Sequence, residues 1–235
     1  MSKETATARD SLDPIGMLSE VTPEDRDQIS KMCRWKRYEA GEQIIDRQSE
    51  TRDVFFVVSG SVRVVIYSAS GREVTLDDIQ AGGFFGELAA LDGAPRSASV
   101  MAVEPTQVAC LPPESFLRVL RDHNSIAINV LNRLTAIVRA ATDRIVDLST
   151  LGANNRVQGE ILRRATEAGI RDDGSALIKP IPVHSEVASR VSTTRETVAR
   201  VFNDLARKGL LKREQGALVV VDVDALSIMV SEFSS

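Results

Sequence analysis

The sequence predicts an α+β protein: an N-terminal antiparallel β jelly roll, one long helix, and a C-terminal domain of helix, tight turn, helix and β-hairpin. Three observations predict it. Between Trp35 and Leu111, short β-branched runs are separated by glycine at Gly41, Gly60, Gly71 and Gly82–Gly83. Closely spaced strands and turns read as a sandwich or barrel, and a jelly roll is the natural closure for strands of that number and length. Leu131, Leu134, Val138, Ala141, Ile145 and Leu148 then follow at alternating spacings of three and four, an a/d seam along one helix. Beyond "LGANN" the apolar spacing is helical again and closes on "LLKREQGALVVV", a hairpin turned at Gln215–Gly216. A chain of 235 residues has length for one large domain or two modest ones.

The elements follow in order. "MSKETATARDSLDP" is polar and lacks the apolar run of a secretory signal, so residues 1–13 are expected to be a disordered leader. In "TPEDRDQISKMC", Thr22 as N-cap and Pro23 at the first helical position start a short helix. "DVFFVVSG" and "SVRVVIY" read as strands joined across "SG", followed by "REVTLDDI", "SASVMAV" and "TQVACL". "PPESFLRVLRDHN" restarts helix, and the long helix runs from about Ser125 to about Thr150. Its seam suits packing on its own domain or on a second copy of itself. The narrow stripe, flanked by Arg133, Arg139, Asp143, Arg144 and Asp147, favours a dimer. "RVQGEILRRATEAG" is an amphipathic helix closed by glycine. The prolines of "ALIKPIPV" exclude helix interior and leave a strand-like connector. "EVASRV" and "TVARVFNDLARKGLL" are two helices, the second capped by "STT" with Glu196 in the first turn, where the helix dipole favours an acid. The expected division is residues 14–124, 125–150 and 151–235.

Bulk chemistry narrows the function. The net charge of −4 is not that of a general polyanion binder. From Val183 to Gly216, however, Arg190, Arg195, Arg200, Arg207, Lys208, Lys212 and Arg213 outnumber Glu186, Glu196, Asp204 and Glu214, and phosphate contacts can concentrate there. No stretch approaches the roughly 18 apolar residues of a membrane span, so a cytoplasmic protein without membrane partners is expected. Cys33 and Cys110 are the only cysteines and His123 and His184 the only histidines. Those numbers exclude a disulfide framework, a four-cysteine zinc site and a four-cysteine iron–sulfur cluster, and no metal site is expected. No Ser–His–Asp set, P-loop or HExxH motif is present, so the protein is expected not to be an enzyme and to need no catalytic cofactor.

One segment among the strands breaks the pattern. "GGFFGELAALDGAPRSAS", Gly82 to Ser99, presents an acid, a base and a hydroxyl around a Gly-rich turn. Gly86 lets backbone come close to a ligand. "ELAAL" can form a short helix whose first N–H groups suit an anion. Arg96 offers the planar fork that suits phosphate, and Ser97 a hydroxyl. Glu87 would repel phosphate but can accept from a ribose hydroxyl. By itself the segment fits equally well a surface turn closed by a Glu87–Arg96 salt bridge.

"FGELAALDGAPRSASV" resembles the phosphate-binding cassette of cyclic-nucleotide-binding domains, and "TTRETVARVFNDL" resembles the recognition helix of the CRP/FNR transcription regulators. Both occur in the family's order, joined by a seam-bearing helix, and the resemblance spans about Pro14 to Val223. It implies a cyclic-nucleotide-binding β-roll, a dimerisation helix and a winged helix-turn-helix. It assigns the cyclic phosphate and ribose to Gly86, Glu87, Arg96 and Ser97, with Leu88 and Ala98 as backbone neighbours. It places the family's adjacent Thr and Ser, which contact the base, at Ala141 and Thr142. Only one hydroxyl survives there, which implies relaxed choice between cAMP and cGMP. Arg195, Glu196 and Arg200 are the implied readers of DNA, with Thr194, Ser185 and His184 beside them. The implied partners are a second copy of the chain, double-stranded DNA with a palindromic TGTGA-like site, and RNA polymerase. Two other readings remain: a regulator of the same fold that senses another signal or acts without ligand, and a regulatory subunit of an enzyme. The scarcity of cysteine and histidine argues against redox or haem sensing, and the helix-turn-helix against the enzyme subunit.

Overall fold

The computed structural model describes residues 10–69 and 71–231. It divides into two compact units: the chain to Tyr67 with Thr75–Ile137, and Ser68–Val74 with Val138 onward. The division falls inside the long helix.

The first unit holds helix α1 (Pro23–Met32), eight strands, and helices α2 (Glu87–Asp92), α3 (Pro113–Asp122) and the start of α4 (Asn124–Thr150). The strands are β1 (Arg34–Tyr38), β2 (Gln43–Ile45), β3 (Val54–Ser59), β4 (Ser61–Tyr67), β5 (Glu73–Gln80), β6 (Phe84–Phe85), β7 (Ser99–Ala102) and β8 (Thr106–Leu111). They form two four-stranded sheets, ordered β1-β8-β3-β6 and β2-β7-β4-β5, with antiparallel pairing where the register is defined. Alternation along a strand sorts the two cores. Phe55 and Val57 of β3 join Ile45, Val62, Ile79, Phe85, Val100 and Val108 in one cluster drawn from both sheets. Val54 and Phe56 point the other way, onto Ile29 of α1, Phe116 and Val119 of α3, and Ile126 and Val130 of α4. The first sheet is thus covered on both faces, which is why "VFFVV" and "VACL" are continuous apolar runs.

Thr22 caps α1 as expected, its hydroxyl accepting from the Asp25 amide at 3.2 Å. The expected leader needs correction. Residues 1–9 lie outside the described residues, but Leu12 is fully buried, Asp10 accepts from Gln107 at 2.9 Å, and Asp13 pairs with Arg26 at 2.9 Å. Leu12 and Ile15 complete the core over the first sheet, so residues 10–13 are held against the first unit.

The second unit continues α4 and adds α5 (Ala153–Ala168), β9 (Ala176–Ile178), α6 (His184–Arg190), α7 (Arg195–Arg207), β10 (Leu211–Glu214), β11 (Ala217–Val220) and α8 (Val223–Ser231). The sheet order is β10-β11-β9. Its core gathers Val157 and Ile161 of α5, Val187 of α6, Val198, Phe202 and Leu205 of α7, Leu218 of β11 and Leu226 of α8. Among the described residues no helix is long and apolar enough to cross a membrane.

Candidate functional site

Sequence order brings the cassette together locally, and the sheet buries it. β6 ends at Phe85, which stacks on Phe55 at 5.0 Å between ring centroids. Gly86 then turns into α2 with φ +85°, a left-handed conformation. Glu87 and Arg96 are only 5% and 4% exposed, which rules out an exposed surface turn. Nor do they form a salt bridge. Arg96 donates to Gly86 O at 2.9 Å, to Asp53 O at 2.8 Å, and twice to Thr51 Oγ1 at 3.4 Å, and its guanidinium lies 5.7 Å from the Phe55 ring centroid. The arginine is therefore locked to the far side of the turn and faces the Gly86 backbone. Thr51 and Asp53 carry no motif of their own, and the sequence did not single them out. Burial is the main cause that lowers the Arg96 pKa, with Asp53 and Glu87 opposing it. Ala98 is buried, while Leu88 and Ser97 are exposed beside these groups.

A further ion pair joins α4 to β5 in the same unit. Arg133 of α4 donates to Asp77 of β5. Burial raises the Glu87 pKa above the ordinary glutamate value. Its own backbone amide, then Arg133, then Arg96 pull it down, and Asp77 adds to the rise. A separate cavity of about 760 Å³ is lined by Arg34, Glu50, Arg52, Asp53, Pro95, Pro112, Pro113 and Glu114. Glu87 and Arg96 are not in its wall, which carries charges of both signs.

Along α4, the residues of the expected seam differ. Leu131, Val138, Ile145 and Leu148 are 56%, 64%, 65% and 44% exposed, and Ala141 is exposed too. Leu134 instead packs, half-buried, on its own unit's core. The Thr142 hydroxyl donates to Val138 O at 3.0 Å on its own helix.

The second unit forms a helix-turn-helix from α6 and α7. Thr194 caps α7, accepting from the Thr197 amide at 3.2 Å. Arg195, Glu196 and Arg200 are exposed on its first turns. Glu196 is held below the usual carboxylate range by its own backbone amide and then by Thr194. Ser185 is exposed at the start of α6. His184 is half-buried, packed edge-on against Phe202 at 5.0 Å, with a buried Nε2 that lacks a partner. Burial, then Arg213 and Arg195, lower its pKa. Arg213 of β10 belongs to the basic segment. The turn between the helices contains Ser192, whose φ of +53° is unusual for a residue other than glycine. Arg144 donates to its hydroxyl at 3.0 Å and Arg156 to its carbonyl at 3.3 Å. Arg156 also binds Val191 O at 3.0 Å and Leu151 O at 2.7 Å, which ties the turn to the segment after α4.

Comparison with known proteins agrees with both halves. Residues 35–123 match the cyclic nucleotide-binding domain, and residues 156–228 the Crp-like helix-turn-helix domain. The cyclic AMP receptor protein of Thermus thermophilus is 31% identical over 200 residues, 85% of this chain and 89% of that protein. The cAMP-activated global transcriptional regulator Vfr of Pseudomonas aeruginosa is 27% identical over 83% of this chain and 92% of its own length. The solved structure of a CooA variant from Carboxydothermus hydrogenoformans superposes with a TM-score of 0.75 at 24% identity, covering 85% of this chain and 88% of that one. The buried cassette, the helix-turn-helix and these matches together establish that the chain belongs to the CRP/FNR family of transcription regulators, which are not enzymes.

Proposed function

We propose that the protein is a homodimeric regulator that binds cAMP or cGMP at the Gly86–Ser97 cassette and then engages an inverted DNA repeat resembling TGTGA…TCACA. RNA polymerase is its further partner. The observation that carries this reading is the burial of Glu87 and Arg96 together at the left-handed Gly86 turn. In this reading Glu87 accepts from the ribose and Arg96 neutralises the cyclic phosphate. Ser97 adds a hydroxyl, and Leu88 and Ala98 lend their backbone. Thr142 serves the base of the nucleotide in the other chain. One hydroxyl is both donor and acceptor, and Ala141 adds no second contact, so both bases are accommodated. Calorimetric titration with cAMP and cGMP tests the proposal. Binding of both, each promoting a shift of the inverted-repeat DNA, is the expected result. Absence of binding to either nucleotide refutes it, and a shift with cAMP alone refutes the relaxed selectivity. The engagement of all three Arg96 nitrogens by Gly86 O, Asp53 O and Thr51 gives weight to a second reading, activity without ligand. A full DNA shift in the absence of nucleotide selects it.

Two variants probe the remaining parts. Arg195→Ala is expected to cost about 1–3 kcal/mol of DNA binding and to relax discrimination at one guanine. Equal affinity of the wild type for the repeat and a scrambled duplex counts against the assignment of the recognition helix. Ile145→Glu places a charge in the middle of the exposed apolar stripe. Wild type should sediment as a dimer at micromolar concentration and the variant as a monomer; a monomeric wild type ends the dimer reading.

A further inference from the structure

Ser192 sits where a side chain is unfavourable. Among the described residues, Ser192 and Gln215 are the only ones other than glycine with a left-handed backbone, at φ +53° and +45°. Gln215 is explained by its turn. With Gly216, at φ +76°, it closes the two-residue β10–β11 hairpin, which requires positive φ at both positions. Ser192 has no such reason. In the turn between α6 and α7, glycine would adopt the same conformation at no steric cost. What serine adds is a hydroxyl, and that hydroxyl accepts from Arg144 of α4 at 3.0 Å. The donor is equally particular. From Val138 to Thr150 every residue of α4 is exposed except Arg144, which is half-buried. Arg156 holds the same turn in a way that any residue at 192 permits, because it binds the carbonyls of Val191 and Ser192. Only the Arg144 bond depends on the side chain there.

The turn leads straight into the helix that carries Arg195, Glu196 and Arg200. Thr193 is 7% exposed, and its amide donates to Ala188 O at 2.9 Å. Thr194 then caps α7. A fixed point at Ser192 therefore fixes the start of α7 against the second half of α4. We propose that Arg144 and Ser192 are positioning residues for DNA recognition: their hydrogen bond holds α7 at one setting against the helix that carries the seam, and so sets which separation of half-sites the dimer accepts. The inference rests on the inverted-repeat reading. Each added base pair moves one half-site by about 3.4 Å along the duplex and turns it by about 35°. A recognition helix held at one setting meets only one spacing well, whereas a helix freed from α4 can follow a displaced half-site.

The experiment is a DNA-shift titration of the full-length protein at saturating cAMP. The duplexes are inverted repeats with half-sites about 10 base pairs apart, centre to centre, and one or two base pairs closer or farther. The proteins are wild type, Ser192→Gly, Arg144→Gln and the two substitutions combined. Ser192→Gly is the cleanest variant, because glycine keeps the left-handed turn and both carbonyls for Arg156. Wild type should prefer its best spacing by about tenfold or more, and Ser192→Gly should lose about tenfold of that preference, the low end for a hydrogen bond from a charged donor. Its Tm and its affinity at the best spacing should stay close to wild type. Arg144→Gln should relax the spacing equally, and the double variant no more than either alone, since each breaks the same bond. A merely structural contact predicts a lower Tm and an equal loss at every spacing. A phosphate contact by Arg144 predicts an equal loss with a shallower dependence on salt. Either result overturns the inference, as does a preference that survives in Ser192→Gly or losses that add in the double variant. If sedimentation finds Arg144→Gln monomeric, Ser192→Gly alone decides. A wild type that binds every spacing alike, or a single half-site as tightly as the repeat, overturns the inverted-repeat reading and the inference with it.

Discussion

Arg96→Ala is expected to remove nucleotide binding and to lower the stability of the ligand-free protein at the same time. The second effect is visible only in the structure. Arg96 is 4% exposed and satisfies Gly86 O and Asp53 O. Truncation strands two carbonyls, at about 1–3 kcal/mol each for any left without water, out of a typical total of about 5–15 kcal/mol. The cyclic phosphate also loses its charge partner, and a charged hydrogen bond contributes about 1.5–3 kcal/mol, or roughly ten- to a hundredfold in affinity. Calorimetric Tm without ligand and titration with cAMP measure the two effects separately. Arg96→Lys sharpens the test. An ammonium keeps the charge but cannot span both carbonyls as a planar fork does. Lysine should therefore recover little of the lost Tm. Normal Tm and normal affinity in Arg96→Ala would sink both the cassette and its structural account.

The same residue shows how much of the site was legible. The identities and spacing of Gly86, Glu87 and Arg96 were readable because they are local chemistry around a glycine turn. The partners of Arg96 were not: Thr51 and Asp53 lie 45 and 43 residues away, and only sheet pairing brings them near. Arg144 and Ser192, 48 residues apart, were hidden by the same kind of separation. In the sequence, Arg144 served only as a charged flank of the seam. Leu134 matched the seam by spacing but is held by its own unit's core, to which Ile126 and Val130 of the same helix also belong. The fold itself was read well where strands are apolar on both faces, as in β3 and β8. It was missed at a charged edge strand and in the shortest strands. β1, "RWKRY", is an edge strand dominated by charge, the composition that protects edges and hides them from a hydrophobic pattern. β6 has two residues, too few for any periodicity. Helix α8 follows directly on the hairpin, and its apolar residues were left unassigned.

Gly86→Ala tests whether the cassette needs a bare backbone at its centre. The position has φ +85°, where a side chain costs roughly 1–2 kcal/mol. Conformation alone does not decide the outcome, because Gly93 at the other end of α2 has φ +72° and carries the same penalty. The surroundings differ. A Cβ on Gly93 meets nothing nearer than Arg52 Nη1 at 3.7 Å, an ordinary contact. A Cβ on Gly86 meets Arg96 Nη1 at 2.8 Å, Asp53 O at 2.9 Å and the Phe55 ring at 3.3 Å. The carbonyl belongs to the backbone entering β3 and cannot yield, and Phe55 is held by its stack on Phe85. The arginine must therefore move, and in moving it releases Gly86 O. Overpacking of this kind adds about 1–3 kcal/mol, so Gly86→Ala should lose about 2–5 kcal/mol in all, against about 1–2 kcal/mol for Gly93→Ala. Ligand binding should divide the pair more sharply still. Gly93→Ala keeps Arg96 and Glu87 in place and should titrate with cAMP nearly as wild type does. Gly86→Ala displaces the phosphate partner and should show little or no binding heat. Thermal unfolding of both variants, followed by titration at a temperature where each is folded, makes the comparison. Equal losses of stability, with nucleotide binding intact in Gly86→Ala, would mean that the close approach of Gly86, Arg96 and Asp53 is not what shapes the site.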